Sequence, residues 1–239
     1  LNLKFTPDSG TTTSGASGDA SGWIPAGSLF YSHPVTKDVS LGFGVFGNFG
    51  LSVKYEDDWV GRYYARQATL QGITFMPAVA YRVAPGLSVG AGLGMMYAAL
   101  EQRVAIRNRQ LFDPLPDGEL KVEDHDWGFN GKFGLLYELS KATRFGVTYT
   151  TQTTLKFTPT TQWSGPGPGL EAFLGSRGLI GAQLNMGITA PQGVMVSAFH
   201  ELTDKLALMA NVDWEQWSKF GEINIGITDN TSRSLTTSL

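Results

Sequence analysis

Side chains in this chain alternate between apolar and small or polar every second residue, over stretches much longer than an ordinary strand. From Leu87 the odd positions read Leu87, Val89, Ala91, Leu93, Met95 and Tyr97, against Ser88, Gly90, Gly92, Gly94, Met96 and Ala98. Ile73, Phe75, Pro77, Val79, Tyr81 and Val83 alternate with Thr74, Met76, Ala78, Ala80 and Arg82. Trp127, Phe129, Phe133, Leu135 and Tyr137 oppose Asn130, Lys132, Gly134 and Glu138, and Leu206, Leu208, Ala210, Val212 and Trp214 oppose Asn211, Asp213 and Glu215. A further stretch sets Phe145, Val147 and Tyr149 against Arg144, Thr148, Thr150, Gln152, Thr154 and Lys156. Successive strand side chains point to opposite faces, so each stretch predicts a β-strand with one greasy face and one small or polar face.

A soluble β-sandwich also alternates, and three features separate it from a barrel in lipid. The stretches run to about 15 residues, beyond the usual ~5–6 and enough for the ~9–11 that cross a bilayer at a tilt. The face opposite the greasy one is rich in Gly, Thr and Ala. Tyr31, Tyr81, Tyr137 and Phe145 sit beside short turns, where amphipathic rings suit a membrane interface. Composition agrees: charged residues are 16%, against the ~25% of soluble domains.

Connection lengths give the architecture. Short turns are predicted at Pro34–Asp38, Ala84–Gly86, Ser140–Ala142 and Thr203–Lys205, and long connections at Pro7–Ser21, Asn48–Gln67, Asn108–Glu119 and Pro159–Gly178. Short and long alternate, so one end carries tight turns and the other long loops, the layout of an outer-membrane barrel. The expected fold class is all-β, an antiparallel up-and-down transmembrane β-barrel forming one domain over 1–239. The tract Ser9–Ser21 reads as a mobile loop, and Leu170–Leu174 as a short helical turn. No run of about 18 apolar residues predicts a membrane-spanning helix. No signal peptide is visible at Leu1, and the chain begins in mid-pattern, as a mature or cut fragment would.

Composition also excludes chemistry. There is no cysteine, hence no disulfide framework and no thiolate site. The charge, 18 − 21 = −3, does not suit a nucleic-acid binder. Gly86-Leu87-Ser88-Val89-Gly90 matches G-x-S-x-G, but a turn leads into a strand here rather than a strand into a helix. Gly42 to Gly47 matches G-x-G-x-x-G without the βαβ context. His33, His125 and His200 lie far apart beside turns, and Asp124-His125-Asp126, Asp57-Asp58 and Asp113 read as loop charges. Asn230-Thr231-Ser232 matches a glycosylation sequon that has no meaning on a bacterial surface. No metal and no cofactor are expected.

The inward register is the informative set. Phe46, Met76, Met96, Leu136, Met209 and Trp217 are assigned to it among small and polar neighbours. Apolar side chains facing water are wasteful, so they suggest either a path for a greasy ligand or packing against a plug. Inward Arg82, Lys132, Arg144 and Lys156 suit a carboxylate head group or a charge ladder with Glu138, Asp213 and Glu215. Apolar loop residues Leu111, Phe112, Leu115, Trp163, Leu170, Phe173 and Leu174 read as a contact surface or as loop–loop packing.

Several segments resemble one family. Trp59-Val60-Gly61-Arg62-Tyr63, Pro77-Ala78-Val79-Ala80-Tyr81-Arg82-Val83 and Leu87-Ser88-Val89-Gly90-Ala91-Gly92-Leu93 are similar to the FadL/TodX family of outer-membrane transporters of hydrophobic compounds. So are Trp127-Gly128-Phe129-Asn130, Gly134 to Leu139, and Asp213-Trp214-Glu215-Gln216-Trp217-Ser218-Lys219-Phe220, in the family's order. The resemblance implies a fourteen-stranded barrel with an N-terminal hatch. This chain would supply about eight or nine strands, with Leu1–Phe5 as the tail of the first and Glu222–Ile227 near the ninth, and would lack the hatch and the closing strands. It implies passive transport of long-chain fatty acids or aromatic hydrocarbons from a groove between two outer loops, matching Leu111, Phe112, Trp163, Leu170, Phe173 and Leu174. It places a head-group contact near Arg103 and a sideways exit at an inward-kinked strand, which aligns with Gly42, Gly44, Gly47 and Gly50. The implied partners are a hydrophobic small molecule and outer-membrane lipid with lipopolysaccharide, for a monomer in the bacterial outer membrane. The competing classes are a barrel lipid hydrolase using Ser88, a structural or adhesive barrel with a filled core, and a soluble sandwich binder.

Overall fold

The alternating stretches pair in the register their greasy faces demand. The computed structural model describes residues 4–6, 13–20, 26–108, 115–220, 224–228 and 234–238. In chain order the strands are β1 (Lys4–Phe5), β2 (Gly18–Asp19), β3 (Ser28–Pro34), β4 (Val39–Lys54), β5 (Gln67–Ala84), β6 (Leu87–Ile106), β7 (Gly118–Glu138) and β8 (Thr143–Thr150). Then come β9 (Thr153–Phe157), β10 (Gln162–Ser164), the helix α1 (Pro168–Ser176), β11 (Gln183–Ala190), β12 (Gly193–Thr203) and β13 (Leu206–Glu215). A 3-10 turn (Trp217–Lys219), β14 (Asn224–Thr228) and β15 (Ser234–Ser238) follow. Strands β3, β4, β5, β6, β7, β8, β12 and β13 pair in that order as one antiparallel wall that is not closed, with β10 added beside β7.

One row across the wall reads Leu41, Val79, Ala91, Phe133, Tyr149, Val194 and Trp214, and the next reads Gly42, Ala78, Gly92, Lys132, Thr150, Gly193 and Glu215. The first row is outward and uncovered: Phe133 is 52% and Trp214 57% exposed. Val89 and Leu93 are open too, so among the described residues no second sheet is stacked on the greasy face. From Trp127 to Tyr137 is 137 − 127 = 10 residue steps, about 33 Å at ~3.3 Å each. Tilted like a barrel strand, that gives about 25 Å, the height of the apolar band of such barrels. Above Tyr97 and Trp127 the outward face turns charged at Glu101, Arg103, Lys121 and Glu123.

Two departures from the alternation matter. The β4–β5 register slips between Gly47 and Phe49, leaving Asn48 unopposed. This bulge swaps the faces of β4, so Phe46 below it and Phe49 above it share the inward side. The buried Thr74 hydroxyl donates to the Asn48 side-chain oxygen and holds the bulge. β4 also runs on to Lys54, which shortens the connection expected from Asn48 to residues 55–66.

The stretch from Phe145 to Lys156 is two strands, not one. β8 stays in the wall, but β9 leaves it and joins a second sheet ordered β15, β14, β11, β9. The corner falls at Thr151–Gln152, Pro191–Gln192 and Gln216, where Pro191 has no N–H for a ladder. Gln192 ties it: the Tyr149 hydroxyl donates to Gln192 Oε1 at 2.7 Å, and Gln192 Nε2 donates to Gln216 Oε1 at 2.9 Å. Beyond the corner, fully buried Leu155 and Phe157 pack with Ile188 on Met96 and Ala98, on the inner face of β6. Each large side chain buried there stabilises by about 1.5–3 kcal/mol. Lys156, expected inward, lies on the exposed side of β9, because Leu155 and Phe157 take the buried side.

Inner-layer packing leaves no room at Gly128. A Cβ there would lie 2.3 Å from Thr153 Cγ2 and 3.0 Å from Leu155 Cδ2. Gly128→Val is expected to cost about 1–3 kcal/mol, read by urea unfolding in lipid vesicles. In the same assay Val79→Arg, on the lipid side, is expected to cost about 2–4 kcal/mol, and Ser40→Arg, on the inner side, much less.

Candidate functional site

Small residues on the inner rows open a concavity. A cavity of about 330 Å³ lies against Gly42, Met76, Ala80, Gly92, Lys132 and Thr148, with Ser32 and Ser40 at its side. Gly92 matters by its lack of a side chain: a Cβ would come within 3.1 Å of Met76 Cγ. Phe46 lies two rows above Met76, opposite Thr74, stacks on Phe30 at 5.9 Å and has the Lys132 ammonium 5.6 Å from its ring centroid. Phe46, Met76 and Lys132 thus come together.

The other inward candidates are spread out. Met96 is 2% exposed beneath the β9 layer, so it is packing rather than open lining. Leu136 and Met209 keep the inward register near the short-turn end, Leu136 opposite Ser88 and Met209 opposite Phe199. Trp217 departs from expectation: the chain leaves the strand at Glu215, and Trp217 sits on the 3-10 turn against Phe220, with ring centroids 5.6 Å apart. Arg82 is exposed near the turns, and Arg144 stacks on Phe199 at 4.3 Å.

Arg103 lies on the outward register, not in the bore. Its parity is that of Tyr97 and Met95, and it bonds Glu101 at 2.7 Å with Glu119 at 3.7 Å. The parity of Leu87 to Tyr97, carried on along β6, gives that face, whereas the resemblance matches only the strand's outer end. Around it the long-loop end carries paired charges: Lys121 with Glu123 at 2.6 Å, and Arg66 with Glu119 at 2.8 Å. Gln67 Nε2 donates to Glu101 at 2.9 Å.

The connection 55–66 packs by stacking Tyr55 on Trp59, centroids 3.6 Å apart, with Ala20 beside them. The Arg62 and Arg107 guanidinium groups both lie over the Tyr63 ring, 4.5 and 4.4 Å from its centroid. Asp117 accepts from Arg62 Nε at 2.8 Å and from the Tyr63 hydroxyl at 2.5 Å. Burial pushes the Asp117 carboxyl up, but these two donors outweigh it and hold it below its ordinary value.

Leu111 and Phe112 lie outside the described residues. Trp163 pairs opposite Leu120 and donates Nε1–H to the Leu179 carbonyl at 3.0 Å. Leu170 and Leu174, one turn apart on α1, are buried, so they hold the helix down rather than line an open groove. Phe173 on the other side is exposed beneath Arg177, and Leu115 is exposed as well. The sequence reading missed Asn108, fully buried, whose Nδ2 donates to the Pro116 and Gly165 carbonyls at 2.6 and 2.9 Å while Oδ1 accepts from Gly167 N at 3.1 Å. It joins the two long loops. Its only sequence signal is an Asn two residues past the end of a strand.

No catalytic set assembles among the described residues. Ser88 lies between Arg82 and Leu136 in the ladder, beside the register shift that leaves Val83 unopposed. His200 Nδ1 meets Thr143 Oγ1 at 2.8 Å, and His33 stacks on Tyr31 at 6.4 Å. No group of His, Asp and Glu able to hold a metal is found among the described residues.

An outward greasy band, aromatic borders and a small-residue inner face define the wall of an outer-membrane β-barrel. The chain belongs to the family described as outer membrane protein transport protein (OMPP1/FadL/TodX), whose profile matches residues 2–238. It is 27% identical over 226 residues to outer membrane protein P1 of Haemophilus influenzae, covering 84% of this chain and 48% of the relative. It is 26% identical over 225 residues to a long-chain fatty acid transport protein of Escherichia coli O6:H1, covering 84% and 50%. The chain therefore spans about half the length of these curated relatives. A Pseudomonas aeruginosa FadL homologue superposes with TM-score 0.73 at 18% identity, over 98% of this chain and 56% of that one. The Ralstonia pickettii toluene transporter TbuX gives 0.69 at 18%, over 96% and 65%. These superpositions establish the fold, and the family places the protein in the bacterial outer membrane.

Above the ordinary carboxylate range Asp117 is ionised in both folded and unfolded chains, and its contribution is complete. Because its folded value is the lower, that contribution is lost as pH falls from the ordinary range through the folded value. The protection of amides at 55–66 against hydrogen exchange, taken relative to their intrinsic rate at each pH, is therefore expected to fall in acid in the native protein and to be flat over that range in Asp117→Asn. Asn108→Ala is expected to cost about 1–3 kcal/mol and to raise protease cutting in the 108–117 and 165–168 loops together, read by limited proteolysis.

Proposed function

We propose that this protein carries hydrophobic molecules, long-chain fatty acids or aromatic hydrocarbons, passively across the outer membrane through the inner side of this wall. The observation that carries the reading is the small-residue cavity flanked by Phe46 and Met76 on the face opposite the lipid. A greasy passenger finds adaptable thioether and flat aromatic surface there, with no reacting group required. Leu136 and Met209 carry apolar surface on the inward register toward the short-turn end. The exposed loop residues Phe173 and Leu115 form the outer landing surface. Leu170 and Leu174 support it from beneath.

The sideways exit belongs at β4. β3 pairs β4 only as far as Phe46, and the bulge at Asn48 follows at once, on the strand that carries Gly42, Gly44 and Gly47. A bulge bends its strand, and small residues accept the bend. Arg103 and the other outward charges stand above the greasy band, at the level of lipid head groups and lipopolysaccharide. The working unit is a monomer whose hatch and closing strands complete the barrel, with this chain as one incomplete barrel domain.

The test is saturable binding of oleate and of toluene to the intact protein in detergent, with uptake into vesicles. Phe46→Ala and Met76→Ala are each expected to weaken binding about threefold to tenfold, in line with removal of a large buried side chain from a ligand contact. The absence of saturable binding or uptake with every hydrophobe rejects the transport reading.

A further inference from the structure

We propose that the outward face of the wall, above the aromatic border, binds lipopolysaccharide through the phosphate groups on its sugars. The inference rests on the outer-membrane location and not on the transport reading. One outward row crosses five strands and reads Lys54, Gln67, Arg103, Lys121 and Gln162. It carries three cations, two side-chain amides and no carboxylate. Four strand spacings make it about 19 Å long at ~4.8 Å each. The next row toward the greasy band reads Ser52, Thr69, Glu101 and Glu123.

Sign is therefore sorted by row instead of alternating. Arg103 stands directly opposite Lys121, and Glu101 directly opposite Glu123. Like charges in that position are destabilising, so a surface built only to satisfy itself would alternate them. The ion pairs run along each strand instead, Arg103 to Glu101 at 2.7 Å and Lys121 to Glu123 at 2.6 Å. Glu119, one row further out, is 2.8 Å from Arg66 and 3.7 Å from Arg103. Lys54 is exposed, and among the described residues no carboxylate lies within ion-pair distance of it. A phosphate lying on the basic row accepts charge-assisted hydrogen bonds and relieves the repulsion between Arg103 and Lys121.

Height selects the kind of lipid. Arg103 is six residues past Tyr97, and Lys121 is six before Trp127 (103 − 97 = 127 − 121 = 6). That is about 20 Å along the strand at ~3.3 Å a residue, or about 15 Å above the border at the tilt of a barrel strand. A phospholipid head group is only about 5–8 Å deep, so its phosphate lies below the row. A lipid whose phosphates sit on a sugar head group reaches it. At the border itself the Tyr97 ring lies 5.2 Å from Trp127 and 5.6 Å from His125, an amphipathic surface suited to the step from acyl chain to sugar.

The experiment titrates the intact protein in detergent with fluorescent lipopolysaccharide. Unlabelled lipopolysaccharide, the same glycolipid chemically dephosphorylated, phosphatidylglycerol and inorganic phosphate then compete for it. The native protein is expected to prefer lipopolysaccharide about tenfold over the dephosphorylated form and over phosphatidylglycerol, as loss of a charged hydrogen bond does. Lys54→Gln with Lys121→Gln is expected to weaken lipopolysaccharide about tenfold and to leave the dephosphorylated form within about twofold. Lys54→Arg with Lys121→Arg is expected to keep the affinity, which separates lost charge from lost fold. Lys141→Gln with Lys205→Gln, at the short-turn end, is expected to change nothing. Equal binding of the phosphorylated and dephosphorylated glycolipids, phosphatidylglycerol as strong as lipopolysaccharide, or no loss in the Lys54 and Lys121 double variant overturns the proposal. Displacement by inorganic phosphate at equal concentration overturns it too, because the row would then hold a free ion. Oleate and toluene binding is read separately, so failure of the transport reading leaves this test intact.

Discussion

Every backbone N–H and C=O in the greasy band needs a partner, because lipid offers none. That constraint fixes the wall. Long antiparallel ladders satisfy the backbone, and tight turns at one end keep neighbours in order. The period of two then forces one face toward lipid and the other inward. A slip of one residue would put Phe133, Leu135 and Tyr137 inside and Lys132 and Gly134 in hydrocarbon. Register is thus the variable on which both membrane insertion and the shape of the bore depend.

The departures from that regularity are local and have stated causes. Asn48 breaks the β4–β5 register and brings Phe49 to the same side as Phe46. The corner at Thr151–Gln152 and Pro191–Gln192 lets β9 and β11 leave the wall and lie over Met96 and Ala98. The backbone of β9 is not left unpaired by this move. Asp126 and Asp124, on the inner face of β7, accept from Lys156 N and Thr158 N at 2.6 and 2.5 Å. Side-chain carboxylates thus take the place of a neighbouring strand along that edge.

Two kinds of polar chemistry are separated by height. Above the aromatic border, Arg103 and Lys121 are paired on the outside, and the two guanidinium groups over the Tyr63 ring show how densely cations are placed there. Within the band, small residues and hydroxyl groups dominate the inner rows, and Lys132 is the charge at the cavity. The separation follows from cost: paired ions at the rim remain near water, whereas an ion at mid-depth is sustained only by the bore.

Much of this was legible in the chain. Leu87 to Tyr97 and Trp127 to Tyr137 gave their strands, faces and depth, because a two-residue period reports on each side chain's nearest environment. The four short turns were legible for the same local reason, and the family resemblance matched the profile over the chain. What could not be read was anything set by a distant neighbour. Trp217 lies on a turn because its strand ends at Glu215, and Leu170 and Leu174 are buried because α1 folds down. Phe157 and Met96, 61 residues apart (157 − 96), meet only because a corner in three strands brings one over the other. Alternation specifies which side a residue takes locally, and tertiary packing decides what stands opposite it.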